Sequence, residues 1–324
     1  RLSCNYVFGA NKKTLWFEIN KKHESSIVSD NCDPMFIILF LFALERGSDI
    51  QFESPVSKRL FYGVENHLMK ALLSMNSSYK QIRILAPIAE DKKTPETGVA
   101  TAMSMGVDSF FTLVENKKTL YPITHLTLFN AGAFGSGEAA RSIFKDVKKQ
   151  VGYVAHELNL PLLCVDTNID EVLNITFLKT HTFRHIACAL FLQNGISKYF
   201  YSSGHKAEDL KLDDSDSANF DHINSIALSN NVLETLILGL MESRVEKTIE
   251  LANYPPSYKY LNVCLLTTEY SNKKFENDSF KNCSRCYKCI RTMITLDVIG
   301  KLELYQNVFD IQSFNKNKTK YFAN

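Results

Sequence analysis

The sequence predicts an α/β protein with a doubly wound, mostly parallel β-sheet and helices on both faces. From Gly98 onward, short apolar segments typical of strands alternate with longer segments of helical periodicity. The helix predicted over 137–159 is the clearest case, because its apolar residues recur at a helical period along one face. Strand–helix units of this length place successive strands parallel, with the helices as crossover connections.

The first predicted elements precede this alternating region. Residues 15–19 form an apolar and aromatic run that predicts a short strand. A buried helix is predicted over 34–45, where Asp33 supplies a side-chain acceptor at the N-cap and Pro34 suits the first helical position. Gly47 then marks the end of this helix.

The remaining N-terminal elements are a helix over 64–75 and a strand over 81–87. A polar loop with Pro and Gly follows at 91–98 and predicts a domain boundary. We therefore predict a separate N-terminal α+β domain over residues 1–95.

The predicted elements beyond the boundary repeat one pattern. Each predicted strand is a short apolar segment, and each predicted helix is an amphipathic segment. Gly195 and Gly300 each lie just after a predicted helix and mark its end. We predict strands over 99–103, 125–129, 161–165, 198–202 and 260–266, and helices over 108–115, 137–159, 183–193 and 287–298. They form an α/β domain over 96–260 and a cysteine-containing C-terminal segment over 261–324. The polar tail at 315–324 is predicted to be frayed.

Composition and charge exclude several classes of protein. The chain has 324 residues, 45% of them hydrophobic, with a formal net charge of +2. This content of apolar residues excludes a mainly disordered chain, and the near-neutral charge argues against a dedicated duplex-DNA binder. The longest apolar run, at 35–44, is shorter than the roughly 20 residues that a membrane span needs. No membrane span is therefore predicted.

Eight cysteines are present, and their spacing divides them into two groups. Cys283, Cys286 and Cys289 are spaced by two intervening residues each, and Cys264 lies upstream. Four thiols in this pattern favour a tetrahedral metal site; zinc is the simplest choice, with an iron–sulfur cluster and a redox dithiol as alternatives. The other four cysteines are scattered, which favours reduced thiols in a cytoplasmic protein over a disulfide framework.

A loop of small residues joins the strand predicted over 99–103 to the next helix. Gly106 allows backbone N–H groups to approach a phosphate, and the hydroxyls of Ser104 and Ser109 can donate to phosphate oxygens. Asp108 would then bind Mg²⁺ or cap the helix. The alternative is a plain strand–turn–helix junction with Asp108 as its cap.

The loop Ser104-Met105-Gly106-Val107-Asp108-Ser109 resembles the S-G-G-x-D-S signature of the PP-loop ATP pyrophosphatases. Met105 departs from that pattern, since it stands where the first glycine of the pair is found. The cysteine motif, which begins Asn282-Cys283, resembles the zinc motif of the 7-cyano-7-deazaguanine synthases within that superfamily, although the upstream cysteine is more distant here. The chain is similar to synthase-like proteins that carry an added N-terminal domain.

The resemblance implies a fold, cofactors and site residues. The fold would be that of the adenine nucleotide alpha hydrolases, with ATP and Mg²⁺ at the loop and Zn²⁺ on the cysteines. ATP would be cleaved between its α- and β-phosphates, giving an adenylated carboxylate substrate, deazapurine-like or similar, that ammonia or an amine then attacks. The chain would thus be an ATP-dependent C–N ligase. Residues 104–109 would bind the nucleotide, with Asp108 catalytic. Arg184 and Lys206 follow predicted strands at the ligand edge and are also predicted to be catalytic, with an exposed helix N-terminus and a surface turn as the respective alternatives. Phe129 is predicted to join the nucleotide-binding residues.

Other polar residues near the predicted ligand edge carry weaker predictions. His185 is a candidate contact for phosphate or substrate. Arg244 and Lys247 are possible contacts as well, but their spacing favours a solvated helix face. Three aspartates at 213–216 are candidates for Mg²⁺ or a solvated loop.

Two other functions remain open. One is a sulfur transferase acting on a nucleobase, which needs a reactive cysteine outside the metal site. The other is a non-catalytic nucleotide-binding protein of an antiviral defence system, because synthase-like relatives occur in antiphage operons. A protein acceptor or operon partner, and a homodimer, also remain open.

Overall fold

A computed structural model describes residues 1–90, 97–264 and 282–322 of the chain. Its centre is a mixed seven-stranded sheet in the order β1-β2-β9-β8-β7-β10-β11. The five strands from β9 to β11 in this order run parallel, and the β1–β2 hairpin joins antiparallel at one edge. The prediction of an α/β protein with a mostly parallel sheet is confirmed. Of the predicted boundary loop at 91–98, residues 91–96 lie outside the described residues, and Gly98 begins strand β7.

The elements have the following bounds in chain order. The strands are β1 (Leu2–Phe8), β2 (Asn11–Ile19), β3 (Ile50–Gln51), β4 (Val56–Ser57), β5 (Ile84–Leu85), β6 (Ile88–Ala89), β7 (Gly98–Ala102), β8 (His125–Asn130), β9 (Leu162–Thr167), β10 (Ile196–Ser202) and β11 (Glu234–Leu238). The helices are α1 (Asp33–Glu45), α2 (Lys58–Gly63), α3 (Met69–Met75), α4 (Val107–Asn116), α5 (Gly137–Glu157), α6 (Ile169–Leu173), α7 (Phe177–Phe191), α8 (Asp221–Ala227), α9 (Arg244–Leu251), α10 (Pro255–Tyr260), α11 (Tyr287–Val298) and α12 (Ile311–Phe322).

Two hydrophobic clusters cover the two faces of the sheet. Along β9, Leu163 and Val165 enter one cluster, whereas the alternate residues Leu162 and Cys164 pack against the other. This alternation is the period of two that a strand buried on both faces requires. Helices α1 and α7 supply the first cluster, and α5, α11 and the start of α12 supply the second.

The N-terminal region is joined to this sheet rather than folded apart from it. Strand β2 pairs with β9, placing Phe17 opposite Thr167, and α1 packs against α7. Every residue of α1 from Asp33 to Leu44 is buried. A helix that is apolar on all sides must be covered on all sides, which residues 1–95 alone do not achieve. The structure therefore differs from the predicted separate domain over these residues.

Most predicted helices are confirmed, with one correction at the start of α1. The predicted N-cap, Asp33, lies inside the helix, where its fully buried carboxylate accepts bonds from Ser57 and from Asn230 Nδ2 at 2.7 Å. Burial raises the pKa of this carboxyl, and the hydrogen bonds oppose that shift. Asp33 thus ties α1 to β4 and to a loop distant in sequence.

Two predictions in the C-terminal part are wrong. The strand predicted over 260–266 is absent in its described part, because Tyr260 ends α10 and 261–264 form an irregular segment, while 265–266 lie outside the described residues. The tail forms helix α12 instead of fraying, since Ile311 and Phe314 are buried in the second cluster. Among the described helices, none is long and apolar enough to cross a membrane.

Candidate functional site

The loop at 104–109 lies where the connections of the sheet change direction. From β7 the chain continues to β8 on one side, and it later returns to β10 on the other side of β7. The carboxyl ends of β7 and β10 therefore flank a crevice, and in open parallel sheets such a crevice is where ligands bind. Helix α4 begins directly after the loop, so its N-terminal N–H groups face the same region.

Hydrogen bonds between neighbouring residues stabilise the conformation of this loop. Ser104 Oγ accepts from the Gly106 N–H at 3.3 Å, and Ser109 Oγ donates to the Gly106 carbonyl at 3.0 Å. The two serine hydroxyls lie 3.4 Å apart. Ser104 is exposed and Ser109 is buried, so the loop presents one accessible hydroxyl supported by a second.

Met105 has a backbone conformation that favours glycine, the residue found at this position in the signature that the loop resembles. Its φ of 62° is in the left-handed region, which side chains other than glycine's adopt at a cost of about 1 kcal/mol or more. The side chain itself is 1% exposed and packs with Met103 and Val107 in the second cluster. Met105 therefore points into the core and away from the mouth of the loop.

This geometry gives a prediction for two variants of Met105. Met105→Ala should lose about 3 kcal/mol of unfolding free energy, because it empties a core position and keeps the left-handed strain. Met105→Gly should lose about 1 kcal/mol less, because glycine adopts this backbone freely. Urea unfolding of both variants beside the wild type measures the difference. A glycine variant less stable than the alanine variant would contradict the strained backbone.

Asp108 lies at the centre of a group of cations. Its Oδ2 is 2.7 Å from Arg244 Nη2, and its Oδ1 is 3.6 Å from Lys247 Nζ. Lys247 is 2% exposed and donates to the Ser203 carbonyl at 2.9 Å, just beyond β10. Burial lowers the pKa of Lys247, and the charge of Arg244 adds to this effect while Asp108 opposes it.

Helix α11 adds two more positive charges to this group. Burial, followed by the charge of Arg244, lowers the pKa values of Lys288 and Arg291. The negative charge of Asp108 acts in the opposite direction and raises both pKa values. Arg244 and Lys247 contact the carboxylate directly, and Lys288 and Arg291 add positive charge nearby, which suits the site to an anion. Sequence reasoning missed both residues, although their spacing of three on one helix is a signal that they share a face.

Arg244 and Lys247 therefore face Asp108, so the alternative of a solvated helix face is wrong for them. Helix α9 begins at Arg244 through a capping box, in which Ser243 and Glu246 satisfy each other's backbone N–H groups. This cap fixes the first turn of α9, and both cations follow within that turn and the next.

Arg184 occupies a structural position, contrary to its predicted catalytic role. Its side chain is 0% exposed. The guanidinium donates to Thr180 Oγ1, to the carbonyls of Ala131 and Ile175, and to Asp170 Oδ1 at 2.6–2.9 Å. The helix predicted over 183–193 begins earlier, at Phe177, which places Arg184 in its second turn and inside the core. The residue has no exposed donor for a phosphate.

Phe129 is also placed in the core and not beside the loop at 104–109. It is 5% exposed, with its ring centroid 5.9 Å from that of His185 and 6.0 Å from that of Tyr199. It therefore offers no face for adenine. Burial, with the neighbouring charges of His181 and Arg184, lowers the pKa of His185 to about 3, so this ring is neutral and suits a packing role.

The remaining polar candidates have their own partners. Lys206 lies on the loop after β10, and its Nζ pairs with Glu208 at 3.1 Å; its predicted catalytic role stays a prediction. The three aspartates predicted for Mg²⁺ do not converge on one point among the described residues. Asp213 pairs with Lys211 at 3.2 Å, Asp214 with Lys179 at 3.2 Å and Asp216 with His181 at 2.9 Å.

The four predicted metal ligands come together. The Sγ atoms of Cys264, Cys283, Cys286 and Cys289 all lie within 4.8 Å of one another. The Cys283–Cys289 and Cys286–Cys289 sulfur separations are 3.8 Å and 3.4 Å. Tetrahedral zinc with bonds of about 2.3 Å needs sulfurs about 3.8 Å apart, so this cluster can hold a metal such as zinc.

Backbone hydrogen bonds stabilise negative charge on these sulfurs, whereas burial opposes it unless a cation is present. Backbone N–H groups of Cys283 and Cys286 donate to Cys264 Sγ and Cys283 Sγ, both at 3.4 Å. The pKa of Cys289 is raised, chiefly by its hydrogen bond with the Cys264 thiol. Burial and the hydrogen bond with Cys286 raise it further. A thiolate at Cys289 therefore needs a positive charge beside it, which a metal ion supplies.

Asn282 connects the separate parts of this cysteine cluster. Its Oδ1 accepts from the Val263 N–H at 2.8 Å, and its Nδ2 donates to the carbonyls of Leu261 and Val308. The segment that carries Cys264 is also tied to the loop, because the Asn262 N–H donates to the Met105 carbonyl at 2.8 Å. The cysteine cluster and the loop at 104–109 are therefore neighbours in one structural unit.

Comparison of the chain with protein-family models, with curated proteins and with solved structures finds no match.

Proposed function

We propose that the chain is an ATP-dependent ligase that joins a carboxylate substrate to ammonia or an amine, forming AMP and pyrophosphate. The observation that carries this proposal is the position of the loop at 104–109 at the crevice between β7 and β10, beside the cations around Asp108. The resemblance of the loop to the PP-loop signature adds the reaction class. A small, deazapurine-like acid is the proposed substrate.

The described residues suit the binding of a triphosphate. Backbone N–H groups at the start of α4 and the Ser104 hydroxyl can donate to phosphate oxygens. Arg244 and Lys247 lie within reach of Asp108, and Lys288 and Arg291 add charge from α11. These cations would stabilise the charge that develops on the departing pyrophosphate.

The reaction proceeds in two balanced steps. An oxygen of the substrate carboxylate attacks the α-phosphorus, the bond to the bridging oxygen of the β-phosphate breaks, and pyrophosphate leaves with the electron pair. The amine then attacks the acyl carbon, loses a proton, and displaces AMP. Holding both reactants in the crevice lowers the entropic cost of each attack.

Two metals are part of the proposal. Zn²⁺ would be held by the four cysteines in a closed all-sulfur site, where it supports folding of the segment beside the loop. Mg²⁺ would neutralise phosphate charge, and Asp108 is the carboxylate of the loop that could hold it.

The thiols outside the metal cluster argue against a sulfur transferase. Burial raises the pKa values of Cys4 and Cys188, that of Cys32 to about 12 and that of Cys164 to about 11. The thiolate is the nucleophilic form, so these residues are poor sulfur carriers at neutral pH. Pyrophosphate release without sulfur transfer distinguishes the two functions.

We expect Lys247→Met to weaken ATP binding roughly tenfold or more, because it removes a buried charged donor and keeps the length of the side chain. Equilibrium dialysis with radiolabelled ATP and Mg²⁺ measures the affinity. Lys259→Met is the matched control, since Lys259 pairs with Glu157 on the surface and should change the affinity less than about twofold.

The products are followed in the same samples with added deazapurine carboxylates and ammonia. AMP with pyrophosphate supports the ligase, whereas ADP with phosphate excludes cleavage at the α-phosphorus. Equal ATP affinity in the wild type and Lys247→Met would place the nucleotide elsewhere. Tight ATP binding without AMP formation from any carboxylate would favour the non-catalytic alternative.

A further inference from the structure

A groove lies apart from the loop at 104–109, along the outer edge of the sheet. It encloses about 780 Å³ between strand β1 and the segment Ser48–Pro55. All residues of β1, from Leu2 to Phe8, line it in succession. A strand that faced the groove with one side of its pleat would contribute alternate residues only. The backbone edge of β1 therefore faces the groove.

The hydrogen bonds of the hairpin show which backbone groups this edge offers. On β2, the Trp16 N–H and the carbonyls of Thr14 and Trp16 bond to side chains of 167–168, away from β1. These two residues lie opposite Asn5 and Ser3. In an antiparallel pair such positions turn their backbone groups outward on both strands. Ser3, Asn5 and the next alternate residue of β1 thus present N–H and C=O groups to the groove.

The opposite wall offers a second backbone edge. The N–H groups of Ile50 and Phe52 donate to the carbonyls of Arg83 and Leu85, on the side away from the groove. The alternate residues of this wall therefore direct their backbone groups towards the groove. An extended segment placed between the walls can pair with one or both of them.

The floor and charge of the groove define the chemistry of its occupant. Buried apolar side chains of α1, including Met35 and Leu39, form the floor. Three carboxylates, of Asp30, Asp49 and Glu53, line the groove, and no lysine, arginine or histidine does among the described residues. Asp49 forms an ion pair with Arg83 at 2.8 Å, so the exposed carboxylate of Glu53 gives this wall its negative charge. A basic side chain next to an apolar one is complementary to this surface.

Strand β1 also lacks the features that normally protect an exposed edge. Its sequence, LSCNYVF, contains no charged residue and no proline. Its pairing with β2 is regular from Leu2 to Phe8, without a bulge. Val7 is 70% exposed at this edge. An unprotected edge of this length is a template for strand addition.

We propose that this groove binds an extended peptide with lysine or arginine side chains, which adds as a strand to β1. The site is separate from the proposed ligase site and does not depend on that function. Backbone pairing with β1 supplies affinity, and the carboxylate of Glu53 selects a basic side chain. The peptide would belong to a partner protein.

The test uses a fluorescein-labelled, acetylated and amidated peptide of alternating valine and lysine, equal in length to β1, in fluorescence anisotropy. Asn5→Pro removes one outward N–H and should weaken binding roughly tenfold relative to Asn5→Ala. Both variants lose the side-chain bond from Thr14 Oγ1, so they differ mainly at the backbone. Thermal unfolding of each variant confirms that the hairpin is retained.

A second variant keeps the test independent of the hairpin. Glu53→Gln changes only an exposed carboxylate and should weaken the lysine peptide roughly threefold, an effect that salt diminishes. The proposal is overturned if the wild type does not bind the peptide saturably. It is also overturned if a glutamate counterpart binds equally well, if Asn5→Pro and Asn5→Ala bind alike, or if sedimentation shows that β1 pairs with a second copy of the chain.

Discussion

Replacing Cys289 by serine should remove the metal and cost about 4 kcal/mol or more of unfolding free energy. Cys289 is fully buried, and its sulfur lies 3.8 Å from that of Cys283 and 3.4 Å from that of Cys286. Loss of one ligand opens the tetrahedron, and the binding energy of a structural metal is also folding energy. We expect about one zinc per wild-type chain by mass spectrometry of metals, and little in Cys289→Ser.

Cys188→Ala is the matched control for this prediction. Cys188 is also fully buried, but it lies in the first hydrophobic cluster, whereas the four clustered cysteines belong to the second. This variant should retain its zinc and lose only about 1 kcal/mol. Iron with visible absorbance in the wild type would replace the zinc assignment by an iron–sulfur cluster. A Cys289→Ser protein with full zinc content would show that the four thiols do not form one site.

Replacing Arg184 by methionine should destabilise the fold by about 3–5 kcal/mol. The buried guanidinium satisfies two backbone carbonyls, and it pairs with Asp170 at 2.6 Å. Methionine keeps much of the volume but leaves these acceptors without a donor, and removing one partner of a buried ion pair is costly. Urea unfolding measures the loss.

Arg141→Met controls for the removal of a positive charge. Arg141 pairs with Asp166 at 3.6 Å and with Glu171 at 3.7 Å, and its side chain is 42% exposed. A pair of this kind contributes less than about 1 kcal/mol. If Arg184→Met is as stable as Arg141→Met but weakens ATP binding, Arg184 contacts the nucleotide after all, as its position in the sequence predicts.

The sequence predicted well those helices that have a regular apolar pattern and clear start or stop signals. Helix α11 begins and ends at the predicted residues, and α1 and α5 are found at nearly their predicted positions. Each has a regular apolar pattern with a clear signal for where it starts or stops. The sequence analysis did not predict strand β1. It pairs with β2 on one side only and is partly exposed, so its hydrophobic alternation is weak.

Contacts between distant residues decided the roles of charged side chains. Arg184 and Arg244 both follow strands of the predicted sheet, yet one is buried with Asp170 and the other faces Asp108. No spacing in the sequence distinguishes them, because their partners lie 14 and 136 residues away along the chain. Lys288 and Arg291 join Asp108 only because α11 packs against α9.

The sequence by itself determined the α/β class, the loop at 104–109 and the four cysteines of the metal cluster. These depend on residue type and short spacing, which set backbone conformation and ligand chemistry directly. The tertiary structure alone decided that β1 and β2 extend the central sheet, that Arg244 and Lys247 face Asp108, and that β1 is an edge strand among the described residues. These depend on which surfaces meet when buried apolar area is maximised, and no local pattern specifies that choice.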